Sequence, residues 1–200
     1  MIKRTMVWMS LGLLLIGFAA AAQSDLDVFP AGTTTMAYRI TSEDMSQPQT
    51  LELSVAVHGD GTYTVRMVTE QTGSEDELAT GFGFIFVAAS VSSGGGHDVS
   101  YSSLQALMDQ RSRLQEGQDY LLPGGGSFVD ITGVTIAGVW CLEGTLVDTT
   151  DPTTRVTVAF ALSQPVYISP RIRVEEQRGG QWVETFLLEL VDYTTAGSEG

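Results

Sequence analysis

The chain has 200 residues, with 10 Lys and Arg against 24 Asp and Glu, a formal net charge of −14 and a single cysteine. That acidity argues against nucleic acid and anionic lipid surfaces as partners, since both demand a basic footprint. One cysteine rules out an internal disulfide, so the fold must rest on its apolar core.

The chain opens MIKRTMVWMSLGLLLIGFAAAA, with Lys3 and Arg4 ahead of an apolar run from Met6 to Phe18 and then a row of alanines. This is the order of a secretory signal peptide over residues 1–22, and Ala20 and Ala22 meet the A-x-A cleavage rule. The protein is therefore expected to be exported, to the periplasm, the cell envelope or the exterior. An uncleaved N-terminal anchor is the alternative, because the stretch is only slightly shorter than the ~20 residues of a membrane span. It is also the one way in which the chain would meet a membrane. No cysteine follows the alanines to accept a lipid. Cleavage would leave 8 basic against 24 acidic residues and a chain without lysine or asparagine. Codon bias in a GC-rich genome explains that composition, and a surface suited to high salt is the second explanation. The remaining 178 residues suit one domain, enough to bury about 70 % of the unfolded surface.

Residues 23–32 read as a loose leader. From Thr33 the pattern has period two, with Met36, Tyr38 and Ile40 on one parity, then Leu51, Leu53, Val55 and Val57. The Asp60-Gly61 turn follows, then Tyr63, Val65 and Met67. These are strands and a hairpin. Residues 78–91, LATGFGFIFVAASV, are apolar on both parities, as in a strand buried on both sides. The glycines opposite Phe82, Phe84 and Phe86 would admit a second backbone or a ligand. After SSGGGHD the period changes. Tyr101, Leu104, Leu107, Met108 and Leu114 recur at helical spacing, Ser102 and Gln105 make a capping box, and Gly117 stands at the C-terminal cap position. One amphipathic helix is predicted over about 102–116.

Strands resume at 128–137 and 139–148, with Gly133, Gly138 and Gly144 as predicted bends or bulges. Val156, Val158, Phe160 and Leu162 form the next apolar face, and Val166, Ile168, Ile172 and Val174 another. Gly179-Gly180 turns the chain into Trp182, Phe186, Leu188 and Leu190, and the tail from Thr194 is expected to fray. The domain thus runs over residues 33–193. About nine strands with one wet face and a single helix cannot form a covered flat layer. The expected fold is mainly β: a strongly curved antiparallel meander, barrel or half-barrel, with the helix in its concavity or across its mouth. A β-sandwich is the second choice.

Little in the chain selects catalysis. Cys141, in GVWCLEG, lies on the opposite parity from Trp140, Leu142 and Leu146. Its neighbour Glu143 would raise its pKa, so it reads as a small core residue. His58 and His97 fall on turn-like segments far apart in sequence, unlike zinc ligands. The acids of SEDEL, 74–78, lack the spacing of a calcium loop. The glycine runs at 94–96 and 124–126 lack the Lys and Ser/Thr of a phosphate loop, and no G-x-S-x-G elbow occurs. The reading is a non-enzymatic protein with no catalytic residue, no metal and no cofactor.

The residues expected to carry function are the aromatics Phe82, Phe84, Phe86, Trp140 and Trp182, lining a curved sheet that holds a lipid, an acyl chain or another apolar or amphiphilic ligand. Arg111, on the apolar stripe of the helix, would meet a polar head or a buried carboxylate. Arg155, Arg171 and Arg173 sit on the polar parity, where pairing with Glu143 or Glu175 is the ordinary account. In this general plan the chain is similar to lipocalin-type and periplasmic lipoprotein-carrier architectures. The likeness is one of fold plan alone, and the G-x-W of lipocalins belongs near the first strand, where the GVW at 138–140 does not lie. The alternative function is an envelope or cell-surface interaction module, in which an edge strand or outer face pairs with another protein and the interior is solid.

Overall fold

Period-two alternation makes a strand amphipathic across its two faces, and nine such strands here share one apolar side. The computed structural model describes residues 28–43, 45–70, 72–73, 106–108, 110–122, 126–147 and 152–197. They form β1 (Gly32–Ser42), β2 (Gln49–Val57), β3 (Tyr63–Glu70), β4 (Tyr120–Leu121), β5 (Ser127–Ile136), β6 (Val139–Val147), β7 (Thr154–Ala161), β8 (Arg171–Arg178) and β9 (Gln181–Ala196). All nine belong to one antiparallel sheet, in the order β3-β2-β1-β9-β8-β7-β6-β5-β4. Neighbours in sequence are neighbours in space, and β9 closes back onto β1. Among the described residues the one break in that cycle lies between β3 and β4, so the sheet is a half-barrel rather than a closed barrel, and the two-sheet sandwich is set aside.

The apolar parities converge. Met36, Tyr38 and Ile40 of β1, Leu51, Leu53 and Val55 of β2, Phe128 and Ile131 of β5, Val156, Val158 and Phe160 of β7, and Phe186, Leu188 and Leu190 of β9 belong to a single buried cluster. Side chains from strands so far apart in the order meet only if the sheet curls. Register shifts help it do so, at Ala37/Tyr38 between β1 and β9, at Val129/Thr132 in β5 and at Val174/Glu175 in β8. Each inserts extra backbone on one strand and increases local twist.

Of the glycines expected at bends or bulges, Gly144 lies opposite the β5 bulge, as the residue between Thr145 and Glu143. Gly138 lies in the β5–β6 turn, where Ala137 (φ 48°) and Gly138 (φ 80°) both take left-handed backbone, as a two-residue hairpin of matching twist requires. Gly133 and Gly144 make room for rings. A Cβ on Gly144 would stand 2.6 Å from Phe128 Cζ, and one on Gly133 would stand 2.2 Å from the Trp140 ring.

Other boundaries also move. Residues 106–108 and 110 are helical, but the helix tightens into a 3-10 turn at Arg111–Arg113, and Leu114 is already extended (ψ 139°). The predicted end near 116 is three residues too long, because Leu114 leaves the helix to enter the core, where it is buried with Leu107. Gly117 (φ 74°) serves a later turn, its N–H donating to Ile131 O at 2.9 Å. The tail does not fray at Thr194, since Thr194–Ala196 pair with Thr33–Thr35. At the other end of the chain Gly32 already belongs to β1, and Phe29 of the expected leader packs on the core.

The β7–β8 connection, residues 162–170, folds back over β1 and β9. Tyr38 OH donates to Ile168 O at 2.9 Å, and Tyr193 OH donates to Pro165 O at 3.1 Å. Burial disfavours the tyrosinate of Tyr38 and moves its pKa upward, which keeps the phenol a donor.

Candidate functional site

Of the six residues expected to line a ligand site, Phe82, Phe84 and Phe86 lie outside the described residues. The structure does not bring the other three together. Trp140 is 45 % exposed and stands over Gly133. Trp182 is on the outer face, with the Arg155 guanidinium 4.6 Å above its ring. The bulge at Val174/Glu175 puts it there: it shifts the parity of β9, so Trp182 no longer shares a face with Phe186. Arg111 lines a cleft with Met108, Phe160, Gln164, Val166 and Pro170, about 10 Å³ in volume. That is room for one water, whereas ligand pockets begin near ~300 Å³. Beneath it Phe128 and Phe160 meet edge to face at 5.6 Å.

Cys141 is fully buried on β6. Burial pushes its thiol up to about 11; the nearby Arg171 opposes this and Glu143 adds to it. A thiol held protonated is a poor nucleophile, so the reading of Cys141 as a core residue agrees with its surroundings. His58 is exposed on the β2–β3 turn, its Nε2 2.8 Å from Thr64 Oγ1. His97 and residues 74–78 lie outside the described residues. Among the described residues, no three His, Cys, Asp or Glu side chains gather as a metal site would require.

The outer face of β6 to β9 carries the arginines in cross-strand pairs. Arg155 grips Glu175 through Nε at 2.7 Å and Nη2 at 2.9 Å. Arg171 bridges Glu143 (2.7 Å) and Glu189, and Arg173 meets Glu184 at 3.1 Å. Arg178 joins Glu176 on its own strand to Glu43 beyond the end of β1. The bond from Arg155 holds the Glu175 carboxyl below the usual carboxylate range. With their charges matched in this way, these arginines make a structural lattice rather than an anion site.

Among the described residues the sheet ends in two edges, β4 and β3, and they differ. At one end β4 is only two residues long. The chain before it seals β5: Gly117 N–H donates to Ile131 O, and Glu116 Oε1 accepts from Gly133 N–H at 3.2 Å. Tyr120 OH pins that stretch by donating to Arg113 O at 2.9 Å. At the other end β3 presents eight residues. Tyr63, Val65 and Met67 share the core-facing parity, paired with Val57, Val55 and Leu53 of β2. Val55 and Leu53 are buried, yet Tyr63, Val65 and Met67 are 51 %, 42 % and 47 % exposed.

The backbone of β3 is directed as well. His58 N–H donates to Thr62 O at 2.9 Å, which makes that opposite pair a hydrogen-bonded one. In an antiparallel ladder such pairs alternate with non-hydrogen-bonded ones. Thr64, Arg66, Val68 and Glu70 therefore bond to β2, while Tyr63, Val65, Met67 and Thr69 turn their N–H and C=O groups outward. No strand among the described residues pairs with that row, and an unpaired row of backbone groups beside an apolar stripe is the template for strand addition. The sequence showed these residues as one face of a strand. Nothing local to 63–70 distinguishes an edge from a centre, because that depends on which strand ends the order.

No protein-family model matches the chain, and no curated protein matches it in sequence. Among solved structures, the crystal structure of MucB in complex with MucA(peri) is similar at 11 % identity and a TM-score of 0.40, over 84 % of this chain. The match spans about half of that chain, 52 %. At that distance nothing about function transfers.

Proposed function

We propose that this protein is an exported, non-enzymatic interaction module that docks another polypeptide in extended form along β3. The observation that carries the reading is the β3 edge, where outward-turned backbone and the exposed Tyr63, Val65 and Met67 coincide. Among the described residues, a tightly packed core cluster and a cleft at Arg111 with room for one water favour this over a carrier of acyl chains. The signal-type residues 1–22 support export to the envelope or beyond. The buried, protonated Cys141 and the exposed His58 support a protein without catalysis.

The test is site-specific photo-crosslinking in the producing cell, with the probe at Met67 and, as a control, at the exposed Thr194 of β9. Adducts of defined mass are expected from Met67 alone. They should vanish in Val65→Pro, which removes an outward N–H that β2 does not use and so leaves the ladder intact. Equal yields at both positions would overturn the reading. So would stoichiometric acyl lipid in a solvent extract of the purified protein, measured by mass spectrometry.

A further inference from the structure

We infer that the polypeptide taken up by β3 is β3 of a second copy, paired antiparallel about a twofold axis at Val68; this rests on reading the β3 edge as a docking surface. The segment Arg66-Met67-Val68-Thr69-Glu70 is self-complementary when run against itself. With Val68 opposite the partner's Val68, Arg66 faces the partner's Glu70 and Glu70 faces the partner's Arg66. Met67 faces the partner's Thr69, and Thr69 the partner's Met67.

The backbone phase agrees with this register. Met67 and Thr69 are both outward-turned, so they can form the hydrogen-bonded pairs of the new ladder. Arg66, Val68 and Glu70 bond to β2, so in the new ladder they occupy the non-hydrogen-bonded pairs, where Cα atoms approach to about 4.5 Å and side chains are closest. Opposite charges and apolar pairs stabilise most at such positions. Shifting the axis to Arg66 would place the guanidinium against its own copy, which disfavours that alternative. The register also accounts for Val68, an apolar residue 39 % exposed on the polar parity of an edge strand, because self-pairing covers it.

Two copies of a chain with net charge −14 repel one another at long range. The Debye length is about 8 Å at physiological ionic strength, so most of that repulsion is screened while the Arg–Glu pairs act at contact. Five residues from each copy make a small interface, in the class below ~1,200 Å² where association is transient. A monomer–dimer exchange that depends on concentration is therefore expected.

Sedimentation velocity of the purified protein near physiological salt, over about a hundredfold range of concentration, reads this directly. The wild type should shift from monomer toward dimer as concentration rises. Arg66→Glu and Glu70→Arg should each abolish the shift, since either places like charges opposite one another, and the double variant R66E/E70R should restore it. Thermal melts should leave all three variants folded, because both positions are exposed. Under oxidation Val68→Cys should give a disulfide-linked dimer, as 4.5 Å falls within the Cα span that a disulfide bridges. Tyr63→Cys, far from the axis, should not. A wild type that stays monomeric throughout overturns self-pairing, and so does a dimer indifferent to the charge reversals. If the wild type is monomeric while Met67 still crosslinks to a different polypeptide, self-pairing fails and the docking reading stands.

Discussion

At its β4 end the sheet stops in a strand of two residues, sealed by Glu116, Gly117 and Tyr120, with Leu107 and Leu114 driven into the core behind them. At its β3 end it stops in eight residues whose apolar side is half exposed and whose outward backbone has no strand beside it among the described residues. The described residues just before β4 serve as its cover, with Glu116 and Gly117 bonded to the β5 backbone. Edge strands are commonly blunted by shortness, by charge or by a covering loop. The β4 end uses shortness and cover. The β3 end has eight residues and no cover among the described residues, and its two charges, Arg66 and Glu70, have opposite signs and so do not repel an incoming copy.

The largest expected effect tests the sealed end. Leu114 is the residue at which the helical turn gives way to the stretch that caps β5, and it is 5 % exposed. Leu114→Ala removes a buried side chain and loosens the cap, so it should cost about 2–5 kcal/mol of unfolding free energy, measured by urea denaturation. A loss below about 0.5 kcal/mol would mean that the cap contributes nothing and that the two ends are energetically alike.

Next in size is a pair of substitutions a few residues apart. Gly144→Ala forces a methyl group to within 2.6 Å of Phe128 Cζ, in a ring that is itself locked against Phe160. The expected loss is about 1–3 kcal/mol from overpacking. Gly133→Ala makes an even closer contact on paper, but with Trp140, which is nearly half exposed and free to swing outward. It should therefore cost less. Thermal melts of both variants settle the order, and equal losses would show Trp140 to be as fixed as Phe128.

Most strands, the position of the hairpin turns and the polar parity of the arginines were legible because alternation is local and survives any tertiary arrangement, whereas the two-residue β4 was not expected and the strand expected at 78–91 lies outside the described residues. That Arg155 and Arg171 meet Glu175 and Glu143 on the outer face agrees with their parity, while which acid each arginine takes depends on strand order and register. What escaped depended on single-residue shifts or on neighbours distant in sequence. The bulge at Val174/Glu175 moved Trp182 to the outer face, and no pattern in 171–190 announces it. The helix ended early because Leu114 is worth more in the core than on a helical stripe. The β3 edge was hidden for the same kind of reason: Tyr63, Val65 and Met67 look like Leu51, Leu53 and Val55, and only the strand order tells them apart.

A smaller effect probes the outer lattice, which runs across β6 to β9 and does not reach β3. Glu175, gripped by Arg155, titrates below its ordinary 4.5. A carboxylate whose folded pKa is depressed contributes stability above its unfolded value and loses that contribution as pH falls through the folded one. The melting temperature should therefore drop as the solution is taken from about pH 5 to about pH 3. Glu175→Gln should flatten part of that slope, by about 0.2–1 kcal/mol for a pair this accessible. An unchanged slope would mean that the ion pair is decorative.

The smallest effect on stability belongs to β3, and its smallness is informative. Val65→Thr keeps a β-branched shape on an exposed position, so unfolding free energy should change by less than about 0.5 kcal/mol. Were β3 covered in the native protein by its own chain, the same hydroxyl would be buried without a partner and the loss would reach about 1–3 kcal/mol. Urea denaturation of this one variant, at a concentration low enough to keep the protein monomeric, thus separates an edge held open for a second chain from an edge closed by the molecule itself. A loss at the upper figure would remove the difference between the two ends of the sheet on which the docking surface depends.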